Sequence, residues 1–405
     1  MDKELSQRLA ALREQGLYRE LCRVDSPQSS RIEIDGKTFL NFSSNDYLGL
    51  AKEPAIKEAA IKAIEKFGAG AGASRLICGS LTPHHELDET LANFKGTEAA
   101  LSFSTGYAAA LGTITALLGK DDIIILDKLV HASIVDAARL SGAKLRVFAH
   151  NDLDDLEEIL KWYRSDERCE SQTSSGTRLT RPSDKRNALI VTESVFSMDG
   201  DHAPLREIVA LKEKYGAWLM IDEAHATGLY GENRRGLAEE LGVSDQIEIQ
   251  MGTLGKAIGA SGGYICGSRL LIDFLVNRAR SFIFSTAPVP AAAAAATAGI
   301  HFIQSNNGVE RREQLRQLVL QFNLKPETQS SKLNSAIIPI IIGDEVEAVE
   351  IASRLRDQGI FVPAIRYPTV ARGAARLRVT LTATHTTDDL ARLTNAFQQI
   401  ANRKS

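Results

Sequence analysis

Cysteine is scarce in this chain. Four occur in 405 residues, Cys22, Cys78, Cys169 and Cys266, far apart and with neither a C-x-x-C pair nor zinc-ligand spacing. That excludes a disulfide-stapled fold and a cysteine-based zinc module, and fits free thiols in a reducing compartment. A basic excess is also missing. The 48 Lys and Arg are outweighed by 51 Asp and Glu, for a net charge of -3, so neither nucleic acid nor an anionic membrane is an expected partner. Long apolar runs are lacking too: the most apolar stretches stop short of the ~18 residues of a membrane helix. Residues 1–16 are charged and helix-like, without an apolar signal core. A cytoplasmic protein is expected. No segment repeats at a fixed period.

What is present reads as globular material, with 44% hydrophobic and 24% charged residues. The length exceeds one small core. The expected division is an N-terminal helix and hairpin segment over 1–50, a large α/β domain over 51–298, and a smaller α+β domain over 299–405. A hairpin is expected over 31–40 with Asp35-Gly36 as its turn, then a helix to about Phe67. In the middle, apolar runs at 123–126, 145–148, 188–192, 218–221, 247–250 and 263–266 alternate with helical stretches at 84–95, 106–118 and 205–215. That alternation predicts a mainly parallel sheet covered by helices. Residues 165–187, rich in Ser, Thr, Arg and Asp, predict a long surface loop. The run 291–296 is six alanines, the best helix former, and predicts a buried helix. Beyond residue 300 the pattern predicts strands at 335–342, 361–364 and 376–381, a helix over 346–358, and a closing helix from Thr387.

Ligands of open α/β sheets bind at the carboxyl ends of strands. The run 218–221 ends in Asp222-Glu223-Ala224-His225, a carboxylate and an imidazole able to hold two ends of a heteroaromatic ring. The plainer reading is an Asp that caps the next helix. A helicase-type magnesium box is excluded, since no G-x-x-x-x-G-K-[ST] loop stands upstream. About thirty residues on, Lys256 lies in 251–257 (MGTLGKA), among glycines and apolar residues. An amine in a desolvated pocket is prepared for Schiff-base chemistry, although most lysines are surface residues. Ser104-Thr105-Gly106-Tyr107 opens a helix, where free N–H groups suit a phosphate; Ser and Thr are also ordinary caps. His131 follows a strand and could lie flat on a planar cofactor, or be a hydrogen-bonded structural histidine. Two look-alikes fail on context. The run 259–263 (GASGG) matches a nucleophile elbow but precedes a strand, and 68–72 (GAGAG) follows a helix where a dinucleotide loop follows a strand.

Taken with 41–50 (NFSSNDYLGL), 222–228 (DEAHATG), 252–257 (GTLGKA) and 376–382 (RLRVTLT), the chain resembles the α-oxoamine synthases. These are pyridoxal-phosphate enzymes of the aspartate-aminotransferase fold, and the resemblance runs from about Arg19 to the final helix. It implies that Lys256 carries the cofactor as a Schiff base and moves the substrate α-proton. Asp222 would pair with the pyridinium nitrogen, His225 and Ser197 would meet the ring hydroxyl, and His131 would stack on the ring. Backbone at Gly106 and Tyr107, with Thr253, would hold the phosphate, joined by Thr286 of a second subunit; a homodimer is thereby implied. Arg378 would clamp the amino-acid carboxylate near Asn45. Within the family, 364–370 (AIRYPTV) with 377–385 (LRVTLTATH) is most similar to members that condense L-alanine with a pimeloyl thioester. Arg366, and more remotely Arg19, would then meet the acyl chain's distal carboxylate. The thiol carrier would be coenzyme A or an acyl-carrier protein. Two alternatives stay open: a relative using glycine or another acyl thioester, and a non-catalytic relative that binds partners. The length of 165–187 and Ala109, where some relatives have Asn, depart from the family pattern.

Overall fold

The computed structural model describes residues 1–170, 186–323 and 335–402. They fall into two compact units. One comprises 54–196 and 202–305; the other comprises 1–53, 197–201 and 306–405.

The first unit is built on a seven-stranded sheet. Its order across the sheet is Ala99–Phe103, Gly263–Gly267, Ile249–Thr253, Trp218–Asp222, Ala188–Glu193, Ile123–Asp127 and Lys144–Phe148. Gly263–Gly267 runs antiparallel to both neighbours, and the other described pairings are parallel. Every residue of Ile123–Asp127 and Ala188–Glu193 is buried, because helices cover both faces. Ile123, Ile125 and Ile190 point into a core shared with Leu156, Leu160 and Ile208. Ile124, Leu126 and Leu189 point into the opposite core with Ala110, Ile114 and Ile134. A strand buried on both sides loses polar alternation, which explains its reading as a solid apolar run.

The helices follow equally simple rules. Leu205–Tyr215 buries Leu205, Ile208, Val209, Lys212 and Tyr215, one stripe at helical spacing, and stops at Gly216 with φ 66°. The alanine run lies inside Pro290–Gln304, a helix packed on Pro54–Phe67 and Thr82–Lys95. A Cβ on its Gly299 would meet the Ile258 carbonyl oxygen at 2.3 Å, so the helix touches backbone two residues past Lys256.

In this unit two expectations need correction, and one strand was missed. Residues 165–170 belong to the helix Leu153–Glu170; 171–185 lie outside the described residues. The strand expected at 247–250 is Ile249–Thr253, since a 3-10 turn at Ser244–Gln246 occupies the approach. The buried edge strand Ala99–Phe103 was not among those expected; two alanines and a serine dilute its apolar signal.

In the second unit, Arg31–Ile34 and Lys37–Asn41 form the hairpin, with Asp35 and Gly36 both at positive φ, the geometry of a type I′ turn. Lys37–Asn41 also pairs in parallel with Ile360–Phe361. Ala375–Thr380 is the middle strand of an antiparallel sheet, between Ile337–Gly343 and Ala364–Ile365. The run expected as one strand at 361–364 is thus two short strands in different sheets. Pro363, which has no N–H to donate, stands at the break. Helices Asp2–Glu14, Asn306–Asn323, Glu345–Asp357 and Thr387–Asn402 belong to the same unit.

Candidate active site

In the first unit, two neighbouring parallel strands set the candidate site. Trp218–Asp222 delivers Asp222 at its carboxyl end, and Ile249–Thr253 delivers Thr253 and the loop that carries Lys256. No helix follows Asp222 directly. Residues 224–229 run as turns, and the Asp222 carboxylate accepts from the Ala224 N–H at 2.9 Å. This places His225 so that its Nε2 lies 2.6 Å from the Lys256 amine. Asp222 and His225 are buried. Burial pushes the Asp222 carboxyl up, while the Lys256 charge, the Ala224 N–H and His131 pull it back.

His131 starts the helix Ala132–Ser141. Its Nδ1 lies 2.8 Å from the Ser133 hydroxyl and accepts from the Ser133 N–H at 3.3 Å, which leaves Nε2 to carry the proton of the neutral ring. Surrounding protein holds the imidazole below its usual value, against the pull of Asp222, and Lys256 lowers it further. Thr105 caps the helix Gly106–Leu117 by accepting from the Ala108 N–H at 3.0 Å. The N–H groups of Gly106 and Tyr107 stay outside the helix's own ladder. A Cβ at Gly263 would meet the Gly106 nitrogen at 2.5 Å, and Gly106 itself faces Thr253. The reversed strand therefore needs a glycine where it passes the helix start. The Thr253 hydroxyl donates to the Gly262 carbonyl at 2.9 Å and accepts from the Gly255 N–H. Thr286 is exposed. The chain just after it is tied down, by the Ala287 N–H on the Ala73 carbonyl and by His84, whose Nε2 lies 2.7 Å from the Pro288 carbonyl.

The remaining expected residues lie in the second unit. Arg376 and Arg378, two apart on Ala375–Thr380, share a strand face and both reach the 197–201 segment. Arg376 pairs with Asp199 at 2.6 Å and bonds the Met198 carbonyl. Arg378 donates to the Ser197 carbonyl, to Asn45 Oδ1 at 3.0 Å, to Thr380 Oγ1 at 2.8 Å and to the Tyr47 hydroxyl. These acceptors are neutral, although the arginine is buried. Arg366 donates to the Gly16 and Tyr18 carbonyls, and Arg19 to the Tyr367 carbonyl at 2.9 Å. Burial and the like charge of Arg19 lower Arg366.

Sequence reasoning gave no role to Lys95, Glu223 or Tyr47. Lys95 carried a faint signal, because it continues the buried stripe of Leu87 and Leu91 at four-residue spacing. A charge in such a stripe calls for a buried partner.

The model of the class I and II aminotransferases matches residues 37–397. An 8-amino-7-oxononanoate synthase of Geotalea daltonii is 46% identical over 98% of this chain and 97% of its own. One of Geobacter sulfurreducens is 45% identical over 99% and 98%. Among solved structures, serine palmitoyltransferase from S. paucimobilis with bound PLP–myriocin aldimine is 30% identical, with a TM-score of 0.86 over 99% of this chain and 97% of that one. An 8-amino-7-oxononanoate synthase from Francisella tularensis is 27% identical, with a TM-score of 0.72 over 91% and 99%.

Proposed function

Because the chain belongs to the class I and II aminotransferase family, we propose that it is a pyridoxal-phosphate enzyme joining L-alanine to a pimeloyl thioester. The products are 8-amino-7-oxononanoate, carbon dioxide and the free thiol, a step of biotin synthesis. The observation that carries this reading is the convergence of Lys256, His225 and Asp222, with the Lys256 amine 2.6 Å from His225 Nε2.

The donor set fits that cofactor. Asp222 supplies a buried carboxylate for a pyridinium nitrogen; at a few Å such a pair contributes on the order of several kcal/mol. Gly106, Tyr107 and Thr253 supply N–H and hydroxyl groups for a phosphate at a helix start. When bound, the cofactor would supply an electron sink for the substrate's α-carbon. The chain's own residues do the rest. Lys256 would hold the cofactor through its amine and would serve as the general base for the substrate's α-proton. His225 keeps the Lys256 amine in place and donates toward the ring hydroxyl, as does Ser197. His131 would cover the ring face and orient it. Arg378, buried among neutral acceptors, holds the amino-acid carboxylate with both arms of its guanidinium, with Asn45 beside it. Arg366 and Arg19 are assigned to the distal carboxylate of the pimeloyl group. The assembly is a homodimer in which Thr286 serves the partner's phosphate site, and the acyl carrier is coenzyme A or an acyl-carrier protein.

A substrate panel tests the proposal. Alanine with pimeloyl-CoA should give the amino ketone, identified by mass. Turnover only of glycine with acetyl-, succinyl- or long-chain acyl-CoA would assign a different α-oxoamine synthase.

A further inference from the structure

The strand Trp218–Asp222 is followed without a break by a second acid, so Asp222 and Glu223 stand side by side, both buried. Neighbouring buried carboxylates disfavour each other's charge, and Glu223 is one of the groups that push Asp222 up. Glu223 is met by a dedicated cation. Lys95, the last residue of the helix Thr82–Lys95, is fully buried and donates to Glu223 Oε2 and, at 2.6 Å, to the Arg235 carbonyl. The other carboxylate oxygen accepts from the Ala238 N–H at 2.9 Å. Gly236, at φ 144°, leaves room for it; a Cβ there would lie 2.2 Å from Oε2. Two segments, the end of the helix Thr82–Lys95 and residues 235–238, thus close on one side chain. An ion pair satisfied this fully is the kind whose rupture leaves an uncompensated buried charge.

We propose that Lys95 is a positioning residue: by neutralising and anchoring Glu223 it fixes the peptide that carries Asp222 and keeps Asp222 ionised for the cofactor's ring nitrogen. The inference rests on the pyridoxal-phosphate reading. The charged groups around Asp222 are Lys256, His131 and Glu223. Tyr264 and Cys266, on the strand Gly263–Gly267, are kept neutral by burial, which pushes the Cys266 thiol up to about 12. Lys95→Met leaves one extra negative charge beside Asp222, and Glu223→Gln leaves one extra positive charge. The two variants therefore move the site's electrostatics in opposite directions.

The test uses purified protein saturated with pyridoxal phosphate, and follows its visible absorbance against pH. The midpoint of that titration reports the imine nitrogen shared by cofactor and Lys256. Lys95→Met should raise it by about one pH unit and weaken cofactor binding roughly tenfold or more. Glu223→Gln should lower the midpoint, and the double variant Lys95→Met/Glu223→Gln should return it to the wild-type value. Single variants that melt earlier but keep the wild-type midpoint would overturn the proposal and leave the pair a packing feature. If Lys95→Met yields no folded protein, Glu223→Gln decides: an unmoved midpoint overturns the proposal and a lowered one upholds it. Wild-type protein with no visible band would instead overturn the cofactor reading itself, and the inference with it.

Discussion

Arg378 and Arg376 show how much two residues on one face can differ. Arg376 has its carboxylate in Asp199, whereas Arg378 has four neutral acceptors and no carboxylate among the described residues. Arg378→Lys keeps the charge but loses the planar fork. The expected result is a KM for the amino acid raised at least ~10-fold, a cost of about 1.4 kcal/mol or more, with little change in cofactor binding. Steady-state kinetics with the amino acid varied would show it. Lys256→Ala should abolish the visible band of lysine-bound cofactor while leaving the fold intact by circular dichroism. His385 makes a prediction about pH. It stacks on Phe42 at 4.3 Å, Nε2 donates to the Asn41 carbonyl, and Nδ1 accepts from the Thr382 N–H. Burial pushes it down to about 4, so between that value and the usual ~6.5 the unfolded chain binds a proton that the folded chain refuses. Stability should therefore fall on acidification through this window, by up to roughly 3 kcal/mol from this group. Urea unfolding at pH 7 and pH 4.5 would measure the loss, and His385→Gln should flatten it.

Among the elements, the one under tightest constraint is the helix Pro290–Gln304. Gly299→Ala drives a methyl into the Ile258 carbonyl, and overpacking of this kind costs ~1–3 kcal/mol. A lower melting temperature is expected together with weaker cofactor binding, because the displaced backbone carries Lys256; calorimetry and an absorbance titration would separate the two. This helix was legible in the sequence, since six alanines have little else to form. The central strands were legible for a different reason: burial on both faces leaves them uniformly apolar. Legibility failed where pairing is non-local. Nothing within 37–41 or 360–361 announces that these stretches share a ladder, and Ala99–Phe103 earns its edge position from Gly263–Gly267, about 160 residues away. The site followed the same division. Asp222, His225 and Lys256 lie at strand ends and could be read locally. Lys95 takes its meaning from Glu223, which is 128 positions distant.

For the molecule as a whole, the proposed homodimer makes a complementation prediction. If Thr286 serves the partner's site, Lys256→Ala and Thr286→Ala chains mixed and reassembled should form hybrids with one intact site of two. At equal mixing, random pairing gives hybrids in half of the dimers, hence roughly a quarter of wild-type activity. A mixture no more active than the Thr286→Ala protein alone would place Thr286 within its own subunit's site. Among the described residues no helix is long and apolar enough to cross a membrane. The division of the chain also bears on how it is made. The unit holding the seven-stranded sheet is complete at residue 305, but the other draws on 1–53, 197–201 and 306–405. During synthesis its first third of structure emerges with its partners still untranslated: Lys37–Asn41 waits more than three hundred residues for Ile360–Phe361. Ribosome-bound chains halted near residue 305 should therefore carry a protease-resistant sheet unit behind a leading segment that is still cleaved, and that segment is the one on which a chaperone would act.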